Sequence, residues 1–479
     1  RVRNLIESLK PQDLRNELFL VVSQPPWDWE IETDGKRISP RDVTTQKTME
    51  LAHRVPLDEL LPLLPGLLEG EQRQAYTFGF ELIKRHGHAR ELIAQAIAVL
   101  REVKAEDRNI ALITGMLAAY SESHAKEADE IIASIATEEQ FLWMVPSLIG
   151  SVGVAAHRVP TLVALAKSKK VAAGHFRQFG MGRALDKLSP TEVGPLLVTL
   201  FENGGDYWAI AIDLLGMYVY QRRDLLTHLH VALRTMYATV GRLRLDHRRT
   251  MSVHHFEEIT SWLLSQDETS EVARYAAIKL AESLRDQAAG EDREGISDLI
   301  KGSIRPLFKF FGSAVWPIVG ASAIGSSLSE MRLRFAIRGF EGHDSAAPVI
   351  LELPETLLLT WCKSNPSTGP AFLASVLPPL EVQTSDDAGP TWHPIVRELI
   401  DEFGAEKSLR NAIDASLHTF SWSGSLTTYY SRYVKPFDEL ADHPIDAVRL
   451  WAQMSKARME TAVGREETRD IEQDAIWNS

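Results

Sequence analysis

One phrase recurs along the chain and limits what it can fold into: a polar or acidic start, often an arginine, a small residue, then apolar side chains at helical spacing. Its clearest copies read Gly70-Glu-Gln-Arg73-Gln-Ala75-Tyr-Thr-Phe78, Glu106-Asp-Arg108-Asn-Ile-Ala111-Leu-Ile, Ser270-Glu-Val272-Ala-Arg274-Tyr-Ala276, Ser329-Glu-Met331-Arg-Leu-Arg334-Phe-Ala336 and Asp442-His-Pro444-Ile-Asp-Ala-Val448-Arg449-Leu-Trp-Ala452. The acidic or polar residue suits a helix N-terminus, where four backbone N–H groups lack partners and the helix dipole favours negative charge. The small residue, Ala75 or Ala111 in the first two copies, is where a neighbouring helix is expected to come close. Each copy reads as the second helix of a pair.

Between the copies the helical period persists. In Glu91-Leu-Ile-Ala-Gln-Ala-Ile-Ala-Val-Leu100, apolar residues return every three or four positions, as one buried stripe requires. Alternating strand patterns and Asn-Gly hairpin signals are nearly absent, and Pro and Gly fall mainly between the periodic segments. At 479 residues the chain exceeds what one hydrophobic core normally serves, so several domains or an open-ended stack is expected.

Here the phrase resembles the second helices of HEAT and armadillo repeats, which open with Asp, a turn, then Val-Arg and a small residue before Leu. The copies at 442–452 and 271–280 match best. The resemblance implies an all-α fold, an α-solenoid of irregular HEAT-like antiparallel helical pairs, and implies no activity. Ala75 and Ala111 lie about one such repeat apart, while later copies are irregularly spaced. A second resemblance attaches to Trp392-His-Pro394-Ile-Val-Arg-Glu-Leu-Ile-Asp-Glu-Phe403, Phe420-Ser-Trp422-Ser-Gly-Ser425 and Tyr429-Tyr-Ser-Arg-Tyr433-Val-Lys-Pro436. This block looks like the C-terminal helical repeats of large bacterial multidomain proteins, including sensor regions of STAND-type NTPases used in phage defence. The NTPase itself has no counterpart: the one Gly-Lys pair, Gly35-Lys36, has no Gly five residues before it.

Charge and cysteine content narrow the function classes. A net charge of −13 argues against wholesale coating of nucleic acid, which needs a basic contact field, though a local basic strip remains compatible with it. The single cysteine, Cys362, excludes an internal disulfide framework and a multi-cysteine zinc site, and suits a reducing compartment such as the cytosol. It reads as a buried structural thiol. The most apolar stretch, 310–325, is shorter than the roughly 20 residues a membrane crossing needs and is interrupted by Pro317, so a buried helix is expected there and no membrane contact. The opening Arg1-Val2-Arg3 carries no initiator Met, signal peptide or lipidation signal, which fits a fragment or a processed product. Polar or charged loops expected at 24–47, 285–295, 363–370 and 382–390 suggest three segments, 1–290, 291–384 and 385–479.

The densest polar cluster is Arg242, Arg244, Asp246, His247, Arg248 and Arg249, followed by His254, His255, Glu257 and Glu258. His254 and Glu258 share a helical face, but no His-Glu-x-x-His helix or Cys ligand accompanies them, so no metal is assigned. Arg242, Arg244, His247, Arg248 and Arg249 could grip phosphate or a partner's carboxylates, because guanidinium forks match both anions; the bland alternative is a solvated face neutralised by its own acids. Trp27 and Trp29, beside Pro25-Pro26, either anchor a partner or fold back over the first helices. His86-Gly87-His88 reads as a helix end with Gly87 left-handed. Ser423-Gly-Ser425 and Gly180-Met-Gly182 complete no nucleophile elbow or dinucleotide fingerprint, so no enzyme activity and no cofactor are assigned. The expected function is a protein-interaction scaffold or sensor, in its finer form the recognition region of a larger bacterial defence effector. The alternative is a nucleic-acid-binding solenoid using the arginine strip, and a third reading is an enzyme assembled from scattered acids and histidines.

Overall fold

The computed structural model describes residues 11, 13–23, 31–33, 36–38, 40–241, 243, 250–266, 269–290, 295–338, 348–381, 390–418 and 426–477. Among them helices dominate, and the fold is an all-α solenoid of irregular HEAT-like antiparallel pairs. The chain divides into two compact units, Arg1–Leu229 and His230–Ser479.

The first unit carries α1 (Leu14–Ser23), α2 (Pro40–Arg54), α3 (Ala75–Arg85), α4 (Ala89–Glu102), α5 (Ala111–Ser121), α6 (Ala125–Ile135), α7 (Val145–Ser151), α8 (Val159–Ser168), α9 (Pro190–Asn203) and α10 (Gly205–Tyr218). Here α2, α3, α5, α7, the 3-10 helix Ala173–Gly180 and α10 stack in order as one layer, and α4 and α6 pack on its other side. The two clearest copies of the phrase, α3 and α5, are thus successive members of one layer. They approach at backbone distance: a Cβ on Gly79 would overlap the Leu112 carbonyl oxygen, and one on Gly115 the Tyr76 carbonyl oxygen. The residues that permit the approach are therefore Gly79 and Gly115, one helical turn beyond the expected Ala75 and Ala111.

Polar contacts between successive repeats reveal the period. In the first unit Asn203 Nδ2 donates to the Ala166 carbonyl at 2.8 Å, the Tyr207 hydroxyl to that of Val171 at 2.6 Å, and Arg101 meets Glu138 at 2.7 Å, over separations of 37, 36 and 37 residues. In the second unit the Ser416 hydroxyl reaches the Ala374 carbonyl over 42 residues, Trp392 Nε1 the Pro436 carbonyl over 44, and Arg305 meets Glu352 over 47. Other contacts of this unit, Arg234 with Glu271 and Trp451 with Asp414, span 37 residues, so its repeats vary in length, in keeping with the irregular spacing of the later copies.

That second unit carries α11 (His230–Val240), α12 (Thr250–Leu264), α13 (Glu271–Ala289), α14 (Asp298–Ala323), α15 (Ser327–Arg338), α16 (Glu355–Ser364), α17 (Gly369–Val376), α18 (Pro394–Phe403), α19 (Lys407–Leu417), α20 (Leu426–Asp438) and α21 (Asp446–Trp477). One layer runs α11, α13, α15, α17, α19; α12 packs on α14 and α16 on α18 in the other. Three further copies of the phrase open α13, α15 and α21. The N-cap Ser270 accepts a hydrogen bond from the Ala273 backbone N–H at 3.4 Å, satisfying one of the orphan donors of α13. The apolar stretch lies in α14, whose Phe308, Val315, Trp316 and Val319 are buried and whose path kinks at Phe311. Among the described residues no helix is long and apolar enough to cross a membrane.

Several expected loops are shorter than the sequence suggested. Part of 24–47 forms a small antiparallel pair, β1 (Ile31–Thr33) with β2 (Lys36–Ile38), followed by α2 from Pro40. α13 continues to Ala289 because Leu284, Gln287 and Ala288 are buried while the charges of Arg285 and Asp286 project from its open side. The 363–370 segment is a tight turn between α16 and α17. Residues 382–389 lie outside the described residues; β3 (Leu380–Glu381) and β4 (Thr391–Trp392), on either side of them, pair antiparallel.

Candidate functional site

The residues that the sequence singled out most strongly, Arg242, Arg244, His247, Arg248 and Arg249 with Trp27 and Trp29, lie outside the described residues. Their described neighbours are structural: Leu243 is buried, and the Gly241 carbonyl accepts from Gln287 Nε2 at 3.2 Å. His254 and Glu258 stand 3.8 Å apart on the exposed face of α12. Burial raises the Glu257 carboxyl above the ordinary range, and this side chain packs over Gly302 of α14. Among the described residues no three potential metal ligands converge.

At 86–88 the expected left-handed glycine is not found. α3 ends with His86 extended (φ −97°, ψ 128°), and Gly87 has no positive φ. The His86 backbone N–H still donates to the Leu82 carbonyl, its ring Nε2 is buried and lacks a hydrogen-bond partner, and burial lowers its pKa. Cys362 is buried, and desolvation pushes its thiol up to about 12, leaving it protonated and unreactive.

A surface that the sequence reading missed lies on α15. Leu328, Met331 and Phe335 follow an i, i+3, i+7 spacing and are 41, 44 and 62% exposed, with Ile324, 40% exposed, in the turn before them. The opposite arc of the same helix buries Ser329, Leu333, Ala336 and Ile337. α15 is therefore apolar on two sides while only one is covered. Beside this ridge runs a groove of about 430 Å³ formed by α15, α17 and α19. α15 contributes Glu330, Arg334 and Arg338 to it, with Arg334 ion-paired to Glu330. α17 and α19 contribute small and hydroxyl-bearing residues, among them Ala371, Ser375, Ser408 and Ala412. The signal was present in Ser329-Glu-Met331-Arg-Leu-Arg334-Phe-Ala336, where Met331 and Phe335 cannot share a stripe with Leu333 and Ala336.

A second groove, about 290 Å³, lies between α4 and α6 and is floored by Ile93, Ile97 and Ile135, all buried. Arg90 with Glu130 at 3.6 Å and Arg101 with Glu138 at 2.7 Å line it as ion pairs between repeats. Its charges are neutralised internally and its floor is already covered, so the α15 surface is the stronger site.

No family model matches this chain, and no curated protein does. The likeness of the C-terminal block to STAND-type sensor regions therefore has no support from those comparisons. Among solved structures, the crystal structure of Kap121p aligns over 98% of this chain at 13% identity and a TM-score of 0.30. This chain spans 51% of that one, and a likeness so loose carries no argument about function.

Proposed function

We propose that this chain is a non-catalytic protein-interaction scaffold that receives its partner on the α15 surface. The observation that supports the reading most is the apolar ridge of Leu328, Met331 and Phe335, exposed on a helix whose other side is already packed, with Ile324 exposed in the turn before it. Exposed apolar groups bordered by polar ones are a signature of interaction sites, and Phe335, the most exposed of the four, supplies a large aromatic anchor. A photo-crosslinking residue in place of Met331 should yield protein adducts in cells, whereas the same residue in place of the exposed Lys309 on α14 should not. Nuclease-sensitive adducts from Met331, or equal yields from both positions, would reject the reading.

The finer form, a recognition region of a larger cytoplasmic bacterial defence effector, is supported only by the likeness of the 392–436 block. Its test is whether an NTPase or nuclease domain adjoins this chain in the full-length protein. The nucleic-acid alternative is supported by Arg242, Arg244, Arg248 and Arg249, and would show as a salt-dependent affinity for duplex that falls when they are replaced.

A further inference from the structure

Helix α21 has two faces, and the chain covers only one. Val448, Trp451, Ala452, Ser455 and Met459 are buried, facing α20 and, through Asp414, α19. At about 100° per residue, Leu450, Met454, Ala457, Thr461 and Gly464 fall on the opposite side, within an arc about 80° wide. All five are exposed, Leu450 by 59% and Met454 by 52%. Their spacing of four, three, four and three residues is that of a heptad seam.

Two details of this face serve nothing within one chain. Gly464 sits inside the helix, where glycine costs stability relative to alanine, yet a Cβ there would meet nothing within 4 Å. By contrast Gly79, Gly115 and the α14 glycines Gly302, Gly312 and Gly320 each have a neighbour pressed against them. A helical glycine with an empty flank suits a second backbone from outside the chain. The Thr461 hydroxyl donates to the Ala457 carbonyl at 2.7 Å, so its methyl can be covered without leaving a donor unmatched.

The flanking charges identify the occupant. In heptad terms Arg458 and Arg465 stand at e, on one side of the seam, and Gln453, Glu460 and Glu467 at g, on the other. Glu460 is held only loosely, by Lys456 at 3.9 Å, and among the described residues Arg465 joins no ion pair. When two copies of this helix lie parallel, each g residue faces the e residue five positions on in the other copy. Glu460 then meets Arg465 of the partner subunit, twice in one two-fold contact, and Gln453 meets the partner's Arg458. Antiparallel alignment instead sets e against e and g against g, arginine against arginine and glutamate against glutamate. The next parallel pair, Glu467 with Glu472, is like-charged, so the contact ends before it.

We propose that α21 pairs in parallel with α21 of a second copy of this chain, with Leu450, Met454, Ala457, Thr461 and Gly464 as the seam and Glu460 of each copy bonded to Arg465 of the partner subunit.

Sedimentation equilibrium of the whole chain over a wide range of concentration tests it, and should find a reversible dimer. L450S/M454S should weaken the dimer at least about tenfold. E460R and R465E should each weaken it several-fold, most at low salt, and the double swap E460R/R465E should restore it because the exchanged charges face each other again. Gly464→Leu should leave folding intact and weaken the dimer about tenfold by holding the backbones apart. Met454→Cys should cross-link to its own counterpart under mild diamide oxidation, since a parallel seam sets the two copies of that position side by side; Cys362 is buried and does not compete. Every substituted side chain is exposed, and an unchanged circular-dichroism spectrum and Tm in the monomeric range separates loss of pairing from loss of folding. A chain monomeric at every concentration, a dimer indifferent to L450S/M454S or strengthened by Gly464→Leu, a double swap no better than the single ones, or no Met454→Cys cross-link would each overturn the proposal.

Discussion

Gly115 shows how much a single position can decide. Its missing Cβ lets α5 lie directly on the Tyr76 carbonyl, so Gly115→Ala should destabilise the chain by about 1–3 kcal/mol through overpacking, outweighing the roughly 1 kcal/mol that alanine gains from helix propensity. Denaturant titration checks it, and a more stable variant would mean that the two helices can part at little cost. The recurrent phrase showed that a small residue was needed but placed it at Ala111, because an N-terminal motif marks where a helix starts and not where a neighbour crosses it. The short β1–β2 pair was likewise legible: Asp34-Gly35, between the two strands in sequence, is a favoured hairpin dipeptide, and attention to Asn-Gly alone passed over it. His86, His175 and His393 carry a pH signature, since burial holds all three below the ordinary histidine pKa near 6.5. A lowered folded-state value means the unfolded chain binds more protons, so stability is full above about pH 6.5 and falls as pH drops below it. Melting between pH 7.5 and 5.5 should show Tm falling by on the order of a few degrees, and His393→Leu should flatten part of that slope.

Element pairing rests on a few polar nodes as well as on apolar stripes. Asp414 on α19 accepts from Trp451 Nε1 at 3.0 Å and from the Ser455 hydroxyl at 3.2 Å, joining α21 to the stack. Asp414→Ala leaves two buried or part-buried donors unmatched and should cost about 1–3 kcal/mol, with hydrogen exchange quickening first in α21. Uniform quickening across the second unit would show that α21 has no separate stability. Helix existence was legible from the 3.6-residue period because burial on one face dictates that period. The α15 surface was not, because a sequence shows which residues are apolar and not which apolar arc another helix will cover. Leu333 and Phe335 look equivalent in the string and differ only in that α15 packs on α13, α14 and α17 with the first and leaves the second open.

In a stack, each repeat is stabilised by its own fold and by its nearest neighbours, so damage at one end should weaken with distance along the array. Deleting residues from Leu426 onward removes α20 and α21, and with them Phe437 and Trp451, which pack edge-on or tilted against Trp392 at ring-centroid distances of 5.5 and 6.1 Å. Trp392 Nε1 also loses the Pro436 carbonyl, and His443, 1% exposed, no longer bonds Asp401 across 2.9 Å. Uncovering an indole ring and an apolar helix face exposes on the order of several hundred Å² of apolar surface, enough to drive association. The shortened chain should therefore melt earlier and elute as aggregates. Hydrogen exchange separates loss of a neighbour from global unfolding: protection should fall in α18 and α19, which contacted the deleted helices, and persist in α12 and α13 of the same unit. Equal loss throughout that unit would mean it unfolds as one cooperative body, contrary to a nearest-neighbour stack. Unchanged melting with monodisperse elution would mean that 426–479 is a dispensable tail and that α19 already ends the array.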